Sequence, residues 1–288
     1  MSPRRDFTAL VRESLGDRFT IESVIGRGGA ATVFLARPQG QAEDGEPLAL
    51  KVLHPELAVT VTAKRFVQEI RLLRGLDHPH IGRLLDSGET DLLVYYTSVY
   101  VPGPTLRQHL DRVRRASVSD TMRIARDLLD ALSYAHARDI VHRDVKPENI
   151  VLDRAGPTLV DFGIAKAIAE AGTTRLTRSG FTVGTSTYMS PEQVAGEPHV
   201  DARSDLYSLA CVLFECLAGR PPFHHRQEHV VLSMQQNEPA PDVRTFRDDT
   251  PEPLAHAIAR ALEKQLDQRW PSAEAMHEEI RKVGAGAS

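Results

Sequence analysis

Two polar stretches near the middle of the chain carry the side chains best suited to chemistry. HRDVKPEN contains Asp144, Lys146 and Asn149, and DFG begins with Asp161. A carboxylate such as Asp144 accepts the proton of a hydroxyl nucleophile, and an ammonium such as Lys146 balances charge on a phosphoryl group in transfer. Amide and carboxylate oxygens are ligands that Mg²⁺ prefers, so Asn149 and Asp161 are the predicted metal ligands. The pattern predicts phosphoryl transfer assisted by Mg²⁺, or by Mn²⁺ in its place.

The order of these residues is more specific than any one of them. A single polar side chain in a loop is commonly a turn or cap residue, whereas H-R-D-x-K-x-x-N followed by D-F-G points to phosphoryl transfer. Asn149 and Asp161 lie twelve residues apart. The segments Ile150–Leu152 and Leu159–Val160 between them suit a short β ribbon, which is predicted to bring the two metal ligands together.

A glycine cluster early in the chain is a candidate phosphate site. Gly26, Gly28 and Gly29 stand between two predicted strands. Glycine has no Cβ, so backbone N–H groups there can approach phosphate oxygens. A glycine-rich hairpin turn explains the same residues without a ligand, and Ala31 stands where the pattern G-x-G-x-x-G ends in glycine. From this segment alone the hairpin turn is the commoner explanation, and the phosphate site stays an alternative.

Lys51 and Glu69 form a candidate pair for positioning phosphates. Lys51 lies in the apolar strand LALKVL, and Glu69 lies in the predicted helix Thr62–Gly75. Taken singly, each is better explained as a solvated side chain on the outer face of its element. As a pair, the carboxylate would direct the ammonium toward the α- and β-phosphates of a nucleotide. Both are therefore candidate catalytic residues, with Asp144 and Lys146.

The elements that must position these residues are predicted to be mainly strands up to Val101 and helices after it. Short or alternating apolar runs predict the strands Phe19–Ile25, Thr32–Ala36, Leu48–Leu53, Ile81–Asp86 and Leu92–Val101. Helical spacing predicts helices at Leu106–Val113, Thr121–Arg138, Ser204–Leu217, His229–Asn237, Leu254–Glu263 and Ser272–Val283. The irregular stretch Asp139–Ser190 is long enough to indicate a functional loop. A cleft between a β lobe and a helical lobe is the expected place for a small-molecule site.

Composition indicates an ordinary soluble protein. The chain has 288 residues, a formal net charge of −4, 41% hydrophobic and 26% charged residues. This balance favours no nucleic-acid partner, and no apolar run reaches membrane-spanning length. Met1–Leu10 carries charges where a signal peptide needs an apolar core, so a cytoplasmic protein is expected. Cys211 and Cys216 are predicted to be buried thiols rather than a disulfide.

The motifs resemble those of the eukaryotic-type serine/threonine protein kinases of bacteria, including the receptor-type ones. The similarity runs from about Arg18 to Val283 and rests on IGRGGAATV, LALKVL, HRDVKPEN, DFGIAKAI, GTSTYMSPEQ and DARSDLYSLACVLFE. It implies a bilobal α+β fold, with a small antiparallel β lobe holding one long helix and a larger mainly helical lobe. The implied domains are an extension 1–17, a kinase domain 18–283 (lobes 18–101 and 104–283, hinge 102–103) and a tail 284–288.

The resemblance implies how ATP would be bound. The glycine segment, Lys51 and the two metal ligands would hold the phosphates. The residues implied around the adenine are Ile25, Val33, Ala49, Val99, Val101 and Val151. Backbone groups of Val99 and Val101 would meet its edge. Ser98 would stand at the gatekeeper position, where so small a side chain implies a roomier pocket behind the adenine.

The resemblance also implies how the helical lobe is held together. Glu192 would form a buried pair with Arg269, and Asp205 would anchor the catalytic loop. The implied hydrophobic spine consists of His142, Phe162, Leu73 and Leu84. Thr185, together with Lys146, resembles the serine/threonine-directed kinases rather than the tyrosine kinases.

Regulation and partners follow from the same likeness. The segment Gly172–Gly184 is rich in hydroxyls and arginines, and its candidate autophosphorylation sites are Thr177, Ser179, Thr173, Thr174 and Thr182. Arg143 would bind the added phosphate, although an ordinary polar loop explains each hydroxyl as well. The implied partners are ATP, protein substrates and a second copy bound through the small lobe. Glu148 would favour a basic residue near the target hydroxyl.

Two other functions fit parts of the sequence. A pseudokinase or nucleotide-binding scaffold would keep the fold without transfer, and the altered glycine loop and hinge agree with it. That alternative predicts the loss of a catalytic or metal-binding residue, yet Lys51, Glu69, Asp144, Asn149 and Asp161 are all present. A small-molecule phosphotransferase would share the nucleotide site but has no use for GTSTYMSPEQ, which is expected to build a peptide-docking floor.

Overall fold

The structure is a computed structural model that describes residues 7–40, 45–55, 67–68, 70–71, 73–162 and 185–284. The described residues fall into two compact units. The first contains those up to Asp77 together with Gly82–Val101, and the second contains His78–Ile81 and those from Pro102 onward. The first unit is built on an antiparallel sheet and the second is mainly helical, which confirms the predicted α+β class.

The sheet of the first unit has five strands in the order β1-β2-β3-β5-β4. They are β1 (Phe19–Arg27), β2 (Ala31–Pro38), β3 (Leu48–Leu53), β4 (Leu84–Glu89) and β5 (Val94–Val99). All five were predicted, and β4 differs most because its predicted range began at Ile81. Ile81 instead forms an isolated parallel bridge with Leu159 in the second unit. Its buried side chain therefore belongs to the core of the second unit.

A short helix that the sequence patterns did not predict covers one face of this sheet. Helix α1 (Phe7–Leu15) places Val11 and Leu15, both fully buried, against Phe34 and Leu50 of the strands. Because side chains alternate between the two faces of a strand, Lys51 lies on the opposite face from Leu50. The stretch predicted as an N-terminal extension therefore contributes to the core of the first unit.

The helix predicted at Thr62–Gly75 is described only in part. Its residues Val67, Gln68, Ile70, Arg71 and Leu73 are helical, and Gly75 lies in a turn. Ile70 is fully buried and Leu73 nearly so, as expected for a helix that packs one apolar face against a core. The other positions from 62 to 72 lie outside the described residues.

Seven helices of the second unit carry most of its core. They are α2 (Leu106–Val113), α3 (Val118–His136), α4 (Pro191–Ala195), α5 (Ala202–Ala218), α6 (Glu228–Asn237), α7 (Glu252–Ala261) and α8 (Ala273–Arg281). All but the short α4 were predicted, with ends that differ by a few residues. Helix α3 begins earlier than predicted because the side chain of Ser117 caps it by accepting the backbone N–H of Asp120.

Helix α5 runs through the centre of the second unit. Every residue from Ser204 to Ala218 is buried, as expected for a helix surrounded on all sides. Cys211 and Cys216 are both buried free thiols, which confirms that prediction, and burial raises the pKa of Cys211 to about 12. Within the described residues, no helix is long and apolar enough to cross a bilayer.

Candidate active site

A short loop before the ribbon gathers three of the predicted site residues. The Nζ atom of Lys146 lies 2.8 and 2.6 Å from the two carboxylate oxygens of Asp144. The side-chain amide of Asn149 donates to the backbone carbonyl of Asp144 at 2.8 Å and to its Oδ2 at 3.0 Å. The carboxylate of Asp144 is thus fixed in direction by a cation and an amide, as a proton acceptor requires.

The loop is anchored from below by one buried carboxylate on α5. Asp205 accepts the backbone N–H groups of His142 and Arg143, each at 2.8 Å, and lies 2.8 Å from Nε2 of His136. Arg143 has a φ of 68°, a conformation that costs a non-glycine residue about 1–2 kcal/mol. The Asp205 contacts hold the backbone in that conformation, which confirms the implied anchoring role.

His142 connects the loop to the segment that contains Asp161. Its Nε2 lies 2.9 Å from the carbonyl of Val160, and its Nδ1 lies 3.1 Å from the backbone N–H of Asp144. A carbonyl only accepts, so Nε2 carries the hydrogen and Nδ1 accepts. The ring also packs edge-on against Phe162, with centroids 4.6 Å apart. This confirms the His142–Phe162 part of the implied spine, and Leu73 and Leu84 are buried in the first unit.

The predicted ribbon brings the two candidate metal ligands to one end. Strands β6 (Ile150–Leu152) and β7 (Pro157–Leu159) pair antiparallel, with Ile150 opposite Leu159. One residue beyond that pair, the N–H of Val160 donates to the carbonyl of Asn149 at 2.9 Å. Asn149 and Asp161 therefore flank the same end of the ribbon, as the spacing predicted.

The donor chemistry at this end fits a hard divalent cation. The amide nitrogen of Asn149 is engaged with Asp144, so its amide oxygen is the atom that can ligate a metal. Asp161 supplies carboxylate oxygens and has a φ of 65°. Among the described residues no three His, Cys, Asp or Glu side chains cluster as a metal site. A cation here would need phosphate oxygens and water, as Mg²⁺ commonly takes.

In the first unit the strand register aligns the phosphate candidates. Gly26 lies opposite Val33, Val33 opposite Lys51, and Lys51 opposite Tyr96, in one row across four strands. A Cβ added at Gly26 would make only ordinary contact with Val33 at 3.6 Å, and neither Gly26 nor Gly28 has a positive φ. The hairpin itself therefore does not require glycine at these two positions, which weakens the interpretation that needs no ligand.

His54 supports the glycine segment and was missed from the sequence. Its Nδ1 lies 2.9 Å from the carbonyl of Gly29, and its Nε2 lies 3.0 Å from the hydroxyl of Thr32. Its backbone N–H donates to the carbonyl of Ala30 at 2.9 Å. No motif marks this histidine, because the contacts join residues more than twenty positions apart.

The residues implied around the adenine occupy defined positions in each unit. Ile25 is an exposed residue near the end of β1, and Val33 and Ala49 lie on β2 and β3. The N–H of Val99 donates to the carbonyl of Arg83 at 2.9 Å, so its carbonyl is the group that could accept from a ligand. The remaining positions are Ser98 opposite Ala49, Val101 just after β5, and Val151 on β6.

Several predicted residues lie outside the described part of the chain. Glu69, the proposed partner of Lys51, is one of them. The candidate phosphorylation sites Thr173, Thr174, Thr177, Ser179 and Thr182 are the others. Their roles stay predictions.

The segment after these residues is fixed to the catalytic loop. Ser190 caps α4 by accepting the N–H of Gln193. The side-chain amide of Gln193 donates to the carbonyl of Arg143 at 2.8 Å. Ser208 on α5 donates to the carbonyl of Tyr188 at 2.7 Å. The sequence TYMSPEQ is thus held against both the loop and the central helix.

Comparison with known proteins agrees with this geometry. A family model described as "protein kinase domain" matches residues 19–280. A probable serine/threonine-protein kinase of Streptomyces coelicolor is 38% identical over 95% of this chain and 42% of its own length. Serine/threonine-protein kinase PknB of Mycolicibacterium smegmatis is 37% identical over 95% of this chain and 44% of its own. Serine/threonine-protein kinase PkaB of Streptomyces coelicolor is 38% identical over 88% of this chain and 61% of its own length. The chain therefore spans about two fifths to three fifths of the length of these relatives.

Proposed function

The chain belongs to the protein kinase domain family, and from this premise we propose that it transfers the γ-phosphoryl group of ATP to serine and threonine hydroxyls of proteins. The observation that carries the proposal is the arrangement at Asp144, whose carboxylate is held by Lys146 and Asn149 beside the end of the β6–β7 ribbon. The relatives named above are serine/threonine kinases, which agrees with it.

The side chains divide the work of in-line transfer. Asp144 accepts the proton of the attacking hydroxyl, and Lys146, 2.6 Å from Oδ2 of Asp144, balances negative charge on the phosphoryl group in transfer. Asn149 and Asp161 would hold Mg²⁺, which supplies charge neutralisation for the phosphates. Lys51 binds the α- and β-phosphates beneath the glycine segment. The valines and Ala49 orient the adenine.

Arg143 suggests how activity is regulated. Within the described part of the chain, its Nε is a buried nitrogen without a hydrogen-bond partner, and its Nη2 only approaches the carbonyl of Val200 at 3.4 Å. A phosphate on the segment 172–184 would give this guanidinium a partner and order the segment. We therefore include autophosphorylation at Thr177 or Ser179 in the proposed function.

A cytoplasmic location fits the proposed kinase. Its reaction consumes ATP, and both of its cysteines are free thiols, as is usual in the reducing cytoplasm. A homodimer through the first unit is proposed from family likeness alone. Its measurement is the solution mass by light scattering, where a monomer at all concentrations would reject it.

The test of the function compares wild-type protein with Asp144→Asn. We expect wild type to transfer label from ATP to a generic basic protein in the presence of Mg²⁺, and Asp144→Asn to be about 10²–10⁴-fold slower, the usual effect of a lost general base. Phosphopeptide mapping should find the segment 172–184 occupied in wild type only. Nucleotide binding by Asp144→Asn confirms that the variant is folded. Equal rates or equal occupancy would reject the proposal.

A further inference from the structure

One arginine in the second unit donates hydrogen bonds to three acidic or phenolic side chains that lie outside its own helix. The guanidinium of Arg107 on α2 donates from Nη1 and Nη2 to the two carboxylate oxygens of Glu215, at 2.8 and 3.1 Å. Its Nε donates to Glu148 at 3.0 Å, and its Nη2 also donates to the hydroxyl of Tyr188. Asp111, one turn along α2, lies 3.8 Å away.

Two of these partners, Glu148 and Tyr188, lie in segments that would contact a bound substrate. Glu148 stands in the catalytic loop between Lys146 and Asn149, in the short 3₁₀ turn Pro147–Asn149. Tyr188 belongs to the segment that precedes α4 and is tied to the catalytic loop. The side chain of Glu148 is 47% exposed, so it could meet a peptide at the surface.

The acidic pair Glu148 and Glu215 nevertheless already shares a cation from within the chain. The side chain of Glu215 is only 8% exposed and that of Arg107 25% exposed. Although burial opposes it, the hydrogen bonds to Glu215 raise the pKa of Arg107 above its usual value. The arginine therefore stays charged and paired throughout the range in which the enzyme would work.

This geometry argues against the expectation that Glu148 favours a basic residue in the substrate. Building on the proposed kinase function, we propose that Arg107 is a specificity-determining residue. It occupies the acidic site formed by Glu148 and Glu215 and so removes selection for an arginine near the phosphorylated residue. A substrate arginine that paired with both carboxylates would have to displace a guanidinium that makes four hydrogen bonds with charged or phenolic partners.

The experiment measures peptide selectivity in the whole protein. Peptides that carry one serine acceptor are prepared with Arg or Ala at each position within four residues of it, and kcat/KM is determined for each pair. For wild type we expect every Arg-to-Ala ratio to stay within about threefold. For Arg107→Gln, which frees two carboxylates to pair with a peptide guanidinium, we expect one ratio to rise at least tenfold, the usual strength of charge-assisted hydrogen bonds.

A matched control and a second variant keep the outcome decisive. Arg112→Ala removes an exposed arginine from the same helix and should leave all ratios unchanged. Glu148→Gln should leave the wild-type ratios unchanged, because Glu148 is already paired, but should abolish the gain when combined with Arg107→Gln. A wild-type preference for Arg that Glu148→Gln removes would overturn the proposal, even if Arg107→Gln failed to fold.

The two proposals fail in different ways. If wild type labels no protein or peptide while binding ATP, the kinase function fails. If wild type labels peptides and folded Arg107→Gln shows the same ratios as wild type, only the role of Arg107 fails. Folding of each variant is checked by its thermal unfolding midpoint.

Discussion

Arg269 and Glu192 form a bidentate ion pair, with Nη1 and Nη2 each 2.8 Å from a different oxygen of the carboxylate. The side chains are 0% and 3% exposed. The remaining N–H groups of Arg269 reach the backbone carbonyls of Glu263, Lys264 and Arg203, so all five of its donors are used. The pair implied by the resemblance is confirmed, and it ties α4 to the chain that follows α7.

Removing one partner of this pair should destabilise the protein strongly. Arg269→Met leaves the Glu192 carboxylate buried without its cation, and we expect a loss of about 3–5 kcal/mol in the free energy of unfolding, measured by urea denaturation. Glu192→Leu added to Arg269→Met should recover part of the loss, because neither charge is then buried alone.

An exposed pair gives the control for that measurement. Arg244 and Asp242 pair at 3.0 Å with both side chains exposed, and Arg244→Ala should change the free energy of unfolding by less than about 1 kcal/mol. A loss below about 1 kcal/mol for Arg269→Met as well would contradict the importance given to the buried pair.

The same pair should make stability depend on pH in the acid range. Burial by itself would raise the pKa of Glu192, but its hydrogen bonds to Arg269 lower the pKa below the usual glutamate value. A lowered folded-state pKa means that the unfolded chain binds the proton more readily. The stabilisation is therefore present above the unfolded pKa of about 4.3 and is lost as the pH falls through the lower folded value.

Urea midpoints measured from pH 6 down to pH 3 test this dependence. We expect Glu192→Gln to start less stable and to show a shallower decline below about pH 4.5 than wild type, because it lacks the titrating group. Parallel declines in the two proteins would show that other carboxylates account for the acid sensitivity.

The unpredicted helix α1 should contribute substantially to the stability of the first unit. Leu15 is fully buried among residues of the sheet, so Leu15→Ala should cost about 2–5 kcal/mol in the free energy of unfolding. Arg12→Ala, on the exposed face of the same helix, should cost less than about 0.5 kcal/mol. Similar losses for the two variants would contradict the contribution given to the buried contact of Leu15.

The contrast between α1 and the ribbon shows what the sequence could predict. Asn149 and Asp161 were placed together correctly because a specific motif and two apolar strand segments pointed to the same pairing. Helix α1 spans nine residues, about two and a half turns, which is too short for a helical period to stand out from noise. Its burial depends on a sheet face formed by residues far along the chain.

Long-range polar contacts were equally beyond the sequence. Arg107 meets Glu215 across 108 positions, and nothing near either residue marks the pairing. Glu148 was therefore interpreted as a site for a basic substrate, since its internal partner was not visible. The ion pair of Glu192 with Arg269 was found only because a family resemblance supplied it, not because any local pattern did.

His54 should tune nucleotide binding through the glycine segment. Its ring accepts from the Thr32 hydroxyl and donates to the Gly29 carbonyl, because a carbonyl only accepts and Nδ1 must carry the hydrogen. His54→Ala removes both hydrogen bonds and loosens the backbone proposed to cover the phosphates. We expect the KM for ATP to rise about three- to tenfold, since each neutral hydrogen bond contributes about 0.5–1.5 kcal/mol, while kcat changes much less.

The conservative and remote variants separate this effect from general damage. His54→Gln offers one donor and one acceptor and should restore part of the affinity, whereas His224→Ala, an exposed histidine in the second unit, should leave KM unchanged. Steady-state kinetics against ATP concentration, with the thermal unfolding midpoint as the folding check, provides the measurement. A fall in kcat at constant KM would place His54 in the chemical step instead, because a looser phosphate-covering segment should first weaken the binding of ATP.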